Sequence, residues 1–297
     1  MTECKLLAID IDGTLLDSRA QFPERVKHGL ARAHQAGLHV VLCTGRRYRT
    51  AAPVAQEAGL PLPLVCHSGA LIKHTRSHQT LFARPFEHDD LPLLLDALEE
   101  LGLVPMAYAD TFENGTDFYL QRGAPLTTYH RDYLAKNQGC YELVEDLRRD
   151  VPAPVLQVCT FDEVEVLRRH KPLLAERLGE RVSCHLLSSA KYLGHFLEFQ
   201  HGAASKWSAL AVLCRSLGVA PGEVVAIGDD ENDISMLRSA GLGVAMANAP
   251  YEVKSAADIV APSNDEDGVA LVIEKLLERI PPLDGVGKAS PGRGPGS

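Results

Sequence analysis

Two acidic clusters hold most of the residues in this sequence that could do chemistry. Asp10-Ile11-Asp12-Gly13-Thr14 follows an apolar run at residues 5–9, and Gly228-Asp229-Asp230-Glu231-Asn232-Asp233 follows another at residues 224–227. Aspartates at alternate positions of a continuing strand point to opposite faces. Where the backbone leaves the sheet through Gly13, both can instead face the crevice at the carboxyl end of the strand, where open α/β sheets bind ligands. Like charges this close require a cation, and a donor set made only of oxygens favours Mg2+. All strands of a parallel sheet end on the same edge, so Asp10 and Asp229 can share one ion, with Asp233 close by. Asn232 can offer its amide to a ligand or cap the helix beginning there. Read alone, the second cluster also has the composition of an acidic helix N-terminus, which the helix dipole favours.

Two further features sit at comparable places. Thr44-Gly45-Arg46 follows the apolar stretch 40–43, and a hydroxyl and a glycine amide at a helix start make a cradle for an anion. Lys206 lies one residue into a helix beginning near Ser205, where a cation opposes the dipole and so needs a local reason. A surface lysine and a generic strand–turn–helix are the plainer readings of these two.

The elements that would position these residues alternate regularly. Apolar runs at residues 5–9, 38–43 and 62–66 are separated by helical patterns at 23–36 and 47–58, which is the signature of strands buried on both faces and joined by crossover helices. The pattern returns after about residue 200, with a helix at 205–217, strands at 224–227 and 242–247, and a last helix at 268–279. In between, strands alternate polar and apolar residues, and Asn114-Gly115 separates runs 106–112 and 117–120 as a hairpin signal. The expected fold is α/β: a Rossmann-like, doubly wound parallel sheet with an inserted α+β domain. Residues 1–84 and 200–284 form the core, 85–199 the insertion, and the glycine- and proline-rich stretch 285–297 a disordered tail.

Composition narrows the class. The 297 residues are 45% hydrophobic, and 30 basic against 39 acidic residues leave a net charge of −9, without the basic excess of a nucleic-acid binder. No apolar run reaches the roughly 18 residues needed to span a bilayer, and residues 1–5 lead directly into a strand-like stretch with no leader pattern. The seven cysteines are scattered, with no C-x-x-C pair, and sit mostly in apolar runs as small hydrophobes. A cytoplasmic protein, monomeric or weakly homo-oligomeric, with no nucleic-acid or membrane partner, is expected.

The series Asp10–Thr14, Thr44–Gly45, Lys206 and Gly228–Asp233 resembles the four motifs of the haloacid dehalogenase superfamily. The stretches 246–249, 253–254, 257–258 and 266–270 look like its Cof-type subfamily. The long interval between Thr44 and Lys206 places the inserted domain, the cap, after the third strand. The resemblance implies a phosphatase whose nucleophile is Asp10 and whose general acid and base is Asp12, with Thr14 holding the loop and Asp12. Thr44, Gly45 and Arg46, with the Ile11 amide and Asn232, would bind the phosphoryl group, and Lys206 would neutralise charge between it and Asp10. Mg2+ would be held by Asp10, the Asp12 backbone carbonyl and Asp229, with Asp233 supporting through water. The substrate would be a small phosphorylated metabolite, with sugar phosphates foremost. The alternatives are a phosphomutase of the phosphomannomutase type and a non-catalytic phosphometabolite-binding protein.

Two departures accompany the resemblance. His67-Ser68-Gly69-Ala70 stands where the family commonly has Asn-Gly-Ala, and Trp207 stands where Gly often follows the lysine. His67 is a candidate substrate contact or an ordinary polar residue at a strand end. His74 and His78 lack a third ligand and make a poor metal site. In the cap, Glu113, Asn114, Arg122, His130 and Arg131 are polar candidates that read first as solvated residues.

Overall fold

A computed structural model describes residues 4–60, 62–188 and 191–278. The expected tail at 285–297 lies outside the described residues. The chain opens with strand β1 (Leu6–Asp10), helix α1 (Glu24–Gln35), β2 (His39–Cys43), α2 (Tyr48–Glu57) and β3 (Pro63–Cys66), followed by the hairpin β4 (Leu71–His74) and β5 (Thr80–Ala83). The inserted cap contains α3 (Asp90–Glu100), β6 (Met106–Ala109), β7 (Phe118–Gln121), α4 (Thr128–Lys136), β8 (Tyr141–Val144), β9 (Val155–Asp162), α5 (Val164–Leu178), β10 (Val182–Ser188) and β11 (His195–His201). The core resumes with α6 (Lys206–Leu217), β12 (Val224–Gly228), α7 (Ile234–Ser239), β13 (Leu242–Met246), α8 (Tyr251–Ala256), β14 (Ile259–Ala261) and α9 (Gly268–Leu277). The boundary expected at residue 200 falls inside β11, which remains paired within the cap sheet to His201.

The core sheet runs β14-β13-β12-β1-β2-β3-β4-β5; its first six strands in that order are parallel, and the β4–β5 hairpin closes one edge. Strand β1 therefore lies in the middle, flanked by β2 on one side and by β12, more than half the chain away, on the other. Its continuous apolar sequence serves two layers at once. Leu7 and Ile9 pack with Val26, Leu30 and Ile273 from α1 and α9, whereas Leu6 and Ala8 pack with Leu210, Leu213 and Met236 from α6 and α7. Helices on both faces make the sheet doubly wound, and the divergence of connections beside β1 creates the crevice at its carboxyl end.

The cap is a six-stranded sheet ordered β10-β11-β9-β6-β7-β8, antiparallel except for the β7–β8 pair. One face is covered by α3 and α5 through Leu94, Leu98, Leu167 and Leu174. The other carries an aromatic cluster with Tyr133 of α4, including Tyr108, Phe118 and Phe161. The Asn114-Gly115 hairpin forms as expected, Gly115 taking the left-handed backbone (φ 84°) between β6 and β7.

Cap and core are joined by buried polar contacts. The Arg47 guanidinium donates to Asp117 at 2.9 Å and also to Asn137, while Arg49 donates to Asp117 at 2.8 Å. Lys73, buried on β4, reaches Asp110 at 2.7 Å. Such desolvated pairs contribute little net stability but are costly to break on one side, so they specify how the cap sits.

Candidate active site

Strand register brings the separated motifs to one edge. Asp10 stands opposite Cys43 on β2, and Ile9 opposite Ile227 on β12, so the residues that follow these strands emerge side by side. The chain after Asp10 turns tightly through Gly13 (φ 75°), a backbone conformation that L side chains rarely adopt. A Cβ there would also lie 2.2 Å from Asp229 Oδ2, so the two acidic loops touch only because this residue has no side chain.

Oxygens of Asp10, Asp229 and Asp233 lie within 4.8 Å of one another. Asp10 and Asp233 are buried and Asp229 is partly so. Lys206 Nζ donates to Asp10 Oδ1 and to Asp233 Oδ1, each at 2.6 Å, and is itself 1% exposed. Its place in the first helical turn is thereby explained: the two carboxylates, not the helix, hold it. Burial would push the ammonium pKa down, but Asp10 and Asp233 outweigh it and the net shift is upward. Burial likewise raises the Asp10 carboxyl well above its usual range; Lys206 opposes this, while Asp233 and Asp229 add to it. Asp229 is pushed up to about 7, first by burial, against a hydrogen bond from Thr14.

A cluster so loaded with negative charge suits a divalent cation. One ammonium faces three carboxylates, all donors are hard oxygens, and Asn232 Oδ1 is buried without a protein partner. The residues present fit such an ion. Asp233 is more than a distant support, but both of its oxygens are engaged. Oδ2 accepts the Asp229 and Asp230 amides at 2.9 and 3.0 Å, and Oδ1 accepts Lys206, so Asp233 shapes the second acidic loop and holds the lysine.

Two expected contacts are replaced by others. Thr14 Oγ1 donates to Asp229 Oδ1 at 2.7 Å, so it braces the metal-ligand candidate in place of Asp12. The Asp12 side chain lies outside the carboxylate cluster and pairs with Arg46, whose Nε donates to Asp12 Oδ2 at 2.6 Å. Arg46 is therefore engaged by Asp12, although it still borders the cavity. Thr44 is buried and its Oγ1 accepts the Arg46 amide at 3.1 Å, fixing the start of the turn toward α2. Gly45 packs between Ser68 and Asn232: a Cβ would lie 3.3 Å from Ser68 Oγ and 3.4 Å from Asn232 Nδ2. Ile11 is buried behind Asp10, its carbonyl accepting from Leu16.

These groups open into a cavity of about 820 Å³ between core and cap, bordered by Asp10, Asp12, Thr44, Gly45, Arg46 and Asn232 from the core. Three participants were not among the site residues expected from the sequence, although two of them, Asn248 and Ser68, lie in the stretches 246–249 and 67–70 noted above. Asn248 Nδ2 donates to the Gly13 carbonyl at 2.8 Å and approaches Asp229 Oδ2 at 3.3 Å, tying β13's loop to both acidic loops. Glu198 on β11 is 3% exposed, borders the cavity, and accepts Ser68 Oγ at 3.0 Å and Gln200 Nε2 at 2.9 Å. Burial raises its carboxyl to about 7, against the Ser68 hydrogen bond, the Lys206 charge and a hydrogen bond from Gln157. Ser68 also belongs here, held with His67 at positive φ (48° and 49°) in the turn after β3. Alternation along Phe196-Leu197-Glu198-Phe199-Gln200 was the available signal for Glu198, since it sets the acid on the same face as Phe196 and Gln200.

His67 does not border the cavity; it is buried and its Nδ1 bonds to Gln157 of β9, a cap-docking contact. None of Glu113, Asn114, Arg122, His130 and Arg131 borders it either. His130 is buried, not solvated, with Nε2 3.1 Å from the Val104 carbonyl. His78 Nδ1 meets Tyr48 Oη at 2.6 Å, and the His74 ring accepts the Arg76 and Ser77 amides.

Fold and site define a two-domain α/β hydrolase, with an acidic, lysine-braced centre at the switch point of a doubly wound sheet and an inserted α+β cap above it. Residues 7–273 match the family of haloacid dehalogenase-like hydrolases. The Bacillus subtilis protein YxeH is 32% identical over 279 residues, covering 92% of this chain and 98% of the relative. Pyridoxal phosphate phosphatase YbhA of Escherichia coli is 28% identical over 277 residues, covering 92% and 98%. A crystal structure of a haloacid dehalogenase-like hydrolase from Bacteroides thetaiotaomicron superposes with a TM-score of 0.75 at 28% identity, covering 92% of this chain and all of that one. The chain belongs to the haloacid dehalogenase-like hydrolase family, in its Cof-type branch, and is a phosphatase.

Proposed function

We propose that this phosphatase hydrolyses small phosphorylated metabolites, sugar phosphates among them, with Mg2+ as cofactor and a covalent aspartyl-phosphate on Asp10. The observation that carries the reading is Lys206 Nζ, buried 2.6 Å from both Asp233 and Asp10, the latter of which borders the cavity. The ammonium aims Asp10 and offsets its repulsion toward a phosphate dianion. Bound Mg2+, held by Asp10, Asp229 and the Asp12 carbonyl with Asp233 beside them, would neutralise charge developing on the phosphoryl oxygens. Asp10 attacks phosphorus, the ester oxygen departs, and Asp12 supplies its proton; Asp12 then takes a proton from the water that attacks the aspartyl-phosphate. The amides of the Ile11 and Gly45 segments and the Asn232 side chain orient the phosphoryl oxygens. Phosphoryl transfer depends chiefly on such positioning and charge stabilisation. A cavity of about 820 Å³ suits a small molecule, and YbhA is named for a small phosphate ester. The free cysteines suit a cytoplasmic setting, and among the described residues no helix is long and apolar enough to cross a membrane.

The test is release of phosphate from p-nitrophenyl phosphate and a panel of phosphorylated metabolites. Activity disappears with EDTA and returns with Mg2+, and phosphate becomes covalently trapped on Asp10 after acid quench. Turnover indifferent to chelation would overturn the metal assignment. Isomerised sugar phosphate in place of free phosphate would point to a mutase.

A further inference from the structure

We propose that the cap half of the cavity selects a leaving group built on a flat, nitrogen-containing ring, packed by Phe161, Phe196 and Tyr133 and read at its nitrogen by Glu198. The proposal deepens the phosphatase reading and rests on it for the position of the phosphate.

The arrangement follows from strand register. Strands β9 and β11 pair so that Phe196 stands opposite Phe161 and Glu198 opposite Cys159. Alternate residues of a strand share a face, so Phe161 and Cys159 on β9 and Phe196 and Glu198 on β11 look the same way, and all four border the cavity that also contains Asp10 and Thr44. Tyr133 of α4 closes over them. The rings of Phe161 and Phe196 are stacked, 5.2 Å between centroids at 28°, and Tyr133 lies 4.6 Å from Phe161. The hydroxyl of Tyr108 donates to that of Tyr133 at 3.0 Å, so these two polar ends face each other.

Such a wall treats leaving groups differently. A sugar carries a hydroxyl on almost every carbon, and each one buried against rings loses a water partner without gaining another. A flat ring buries its faces against aromatic side chains with no such loss. Glu198 adds direction: Ser68 and Gln200 both donate to its Oε1, which anchors the carboxyl among these apolar residues. A ring N–H or protonated ring nitrogen supplies the donor that a buried carboxyl accepts most strongly, and a plain phenyl ring does not.

The experiment compares kcat/KM of the full chain with Mg2+ for pyridoxine 5′-phosphate, benzyl phosphate and ribose 5-phosphate. Pyridoxine 5′-phosphate is expected to exceed ribose 5-phosphate by about tenfold or more and benzyl phosphate by a smaller factor. Glu198→Gln, which keeps a carbonyl to accept Ser68 and Gln200, brings the pyridoxine-to-benzyl ratio toward one; Phe196→Leu narrows the ring-to-ribose ratio. Ribose 5-phosphate equal to or better than both ring esters overturns the proposal, as do ratios that neither substitution moves. If p-nitrophenyl phosphate and every other ester stay intact, the phosphatase reading fails separately. The ring proposal is then decided by calorimetric titration of pyridoxine: binding weakened by Phe196→Leu supports it, and no binding to the unsubstituted protein overturns it.

Discussion

Asp12 and Arg46 face each other in a two-pronged ion pair, Nε donating to Oδ2 at 2.6 Å and the terminal nitrogen to Oδ1, across the loops that leave β1 and β2. Arg46 thus holds the residue proposed as the general acid for the leaving oxygen. With the Asp12 side chain 57% exposed, an ion pair of this kind contributes at most about 1 kcal/mol to stability. Arg46→Ala should therefore leave thermal melting nearly unchanged while lowering kcat by about ten- to a hundredfold on alkyl phosphates. The loss should shrink on p-nitrophenyl phosphate, whose leaving group needs no proton. An equal loss on both esters would show that Arg46 acts on the phosphate and not through Asp12.

Asp10→Asn removes the proposed nucleophile but keeps its size. Lys206 retains Asp233, and one of three converging negative charges disappears, so melting should occur at the same temperature or higher. Turnover should fall by about a thousandfold or more. Vigorous hydrolysis by pure variant protein would sink the assignment.

Glu198 yields a pH prediction. Its carboxyl is raised from 4.5 to about 7 in the folded chain, first by burial, so between these values the native state holds a proton that the unfolded state has released. Stability from this group is greatest below about pH 4.5 and declines as pH rises toward 7. A shift of that size corresponds to roughly 3 kcal/mol. Glu198→Gln carries no such decline, so the variant should gain stability relative to the unsubstituted chain between pH 5 and pH 8 in urea melts. A difference that is flat or of opposite slope would contradict the burial argument.

Gly69 adopts φ 109°, and a Cβ there would lie 2.0 Å from the Ser205 carbonyl, immediately before Lys206. Gly69→Ala must push α6 away from the core or distort the turn. A destabilisation of about 2–4 kcal/mol is expected, together with a fall in kcat as Lys206 shifts. Wild-type melting and activity would mean that the turn yields without moving the lysine.

The amino-acid sequence alone was enough to locate the strand-end motifs. Asp10–Thr14 and Gly228–Asp233 are contiguous runs that follow apolar stretches, and the chemistry of closely spaced acids is a local property. Continuous apolar strands separated by helical patterns likewise identified the doubly wound core, because burial on both faces leaves a mark on each strand independently. Which partners these residues choose was settled only in three dimensions. Thr14 braces Asp229, Asp12 turns to Arg46, and Asp233 spends its oxygens on two amides and Lys206, because the register of β1 against β2 and β12 sets these approaches to fractions of an ångström. Glu198 and Asn248 acquired their roles for the same reason. Asn248 lies in the stretch 246–249 that resembles the Cof-type pattern and Glu198 on an alternating strand, but what each touches comes from where the β13 loop and the β11 face arrive once cap and core have docked.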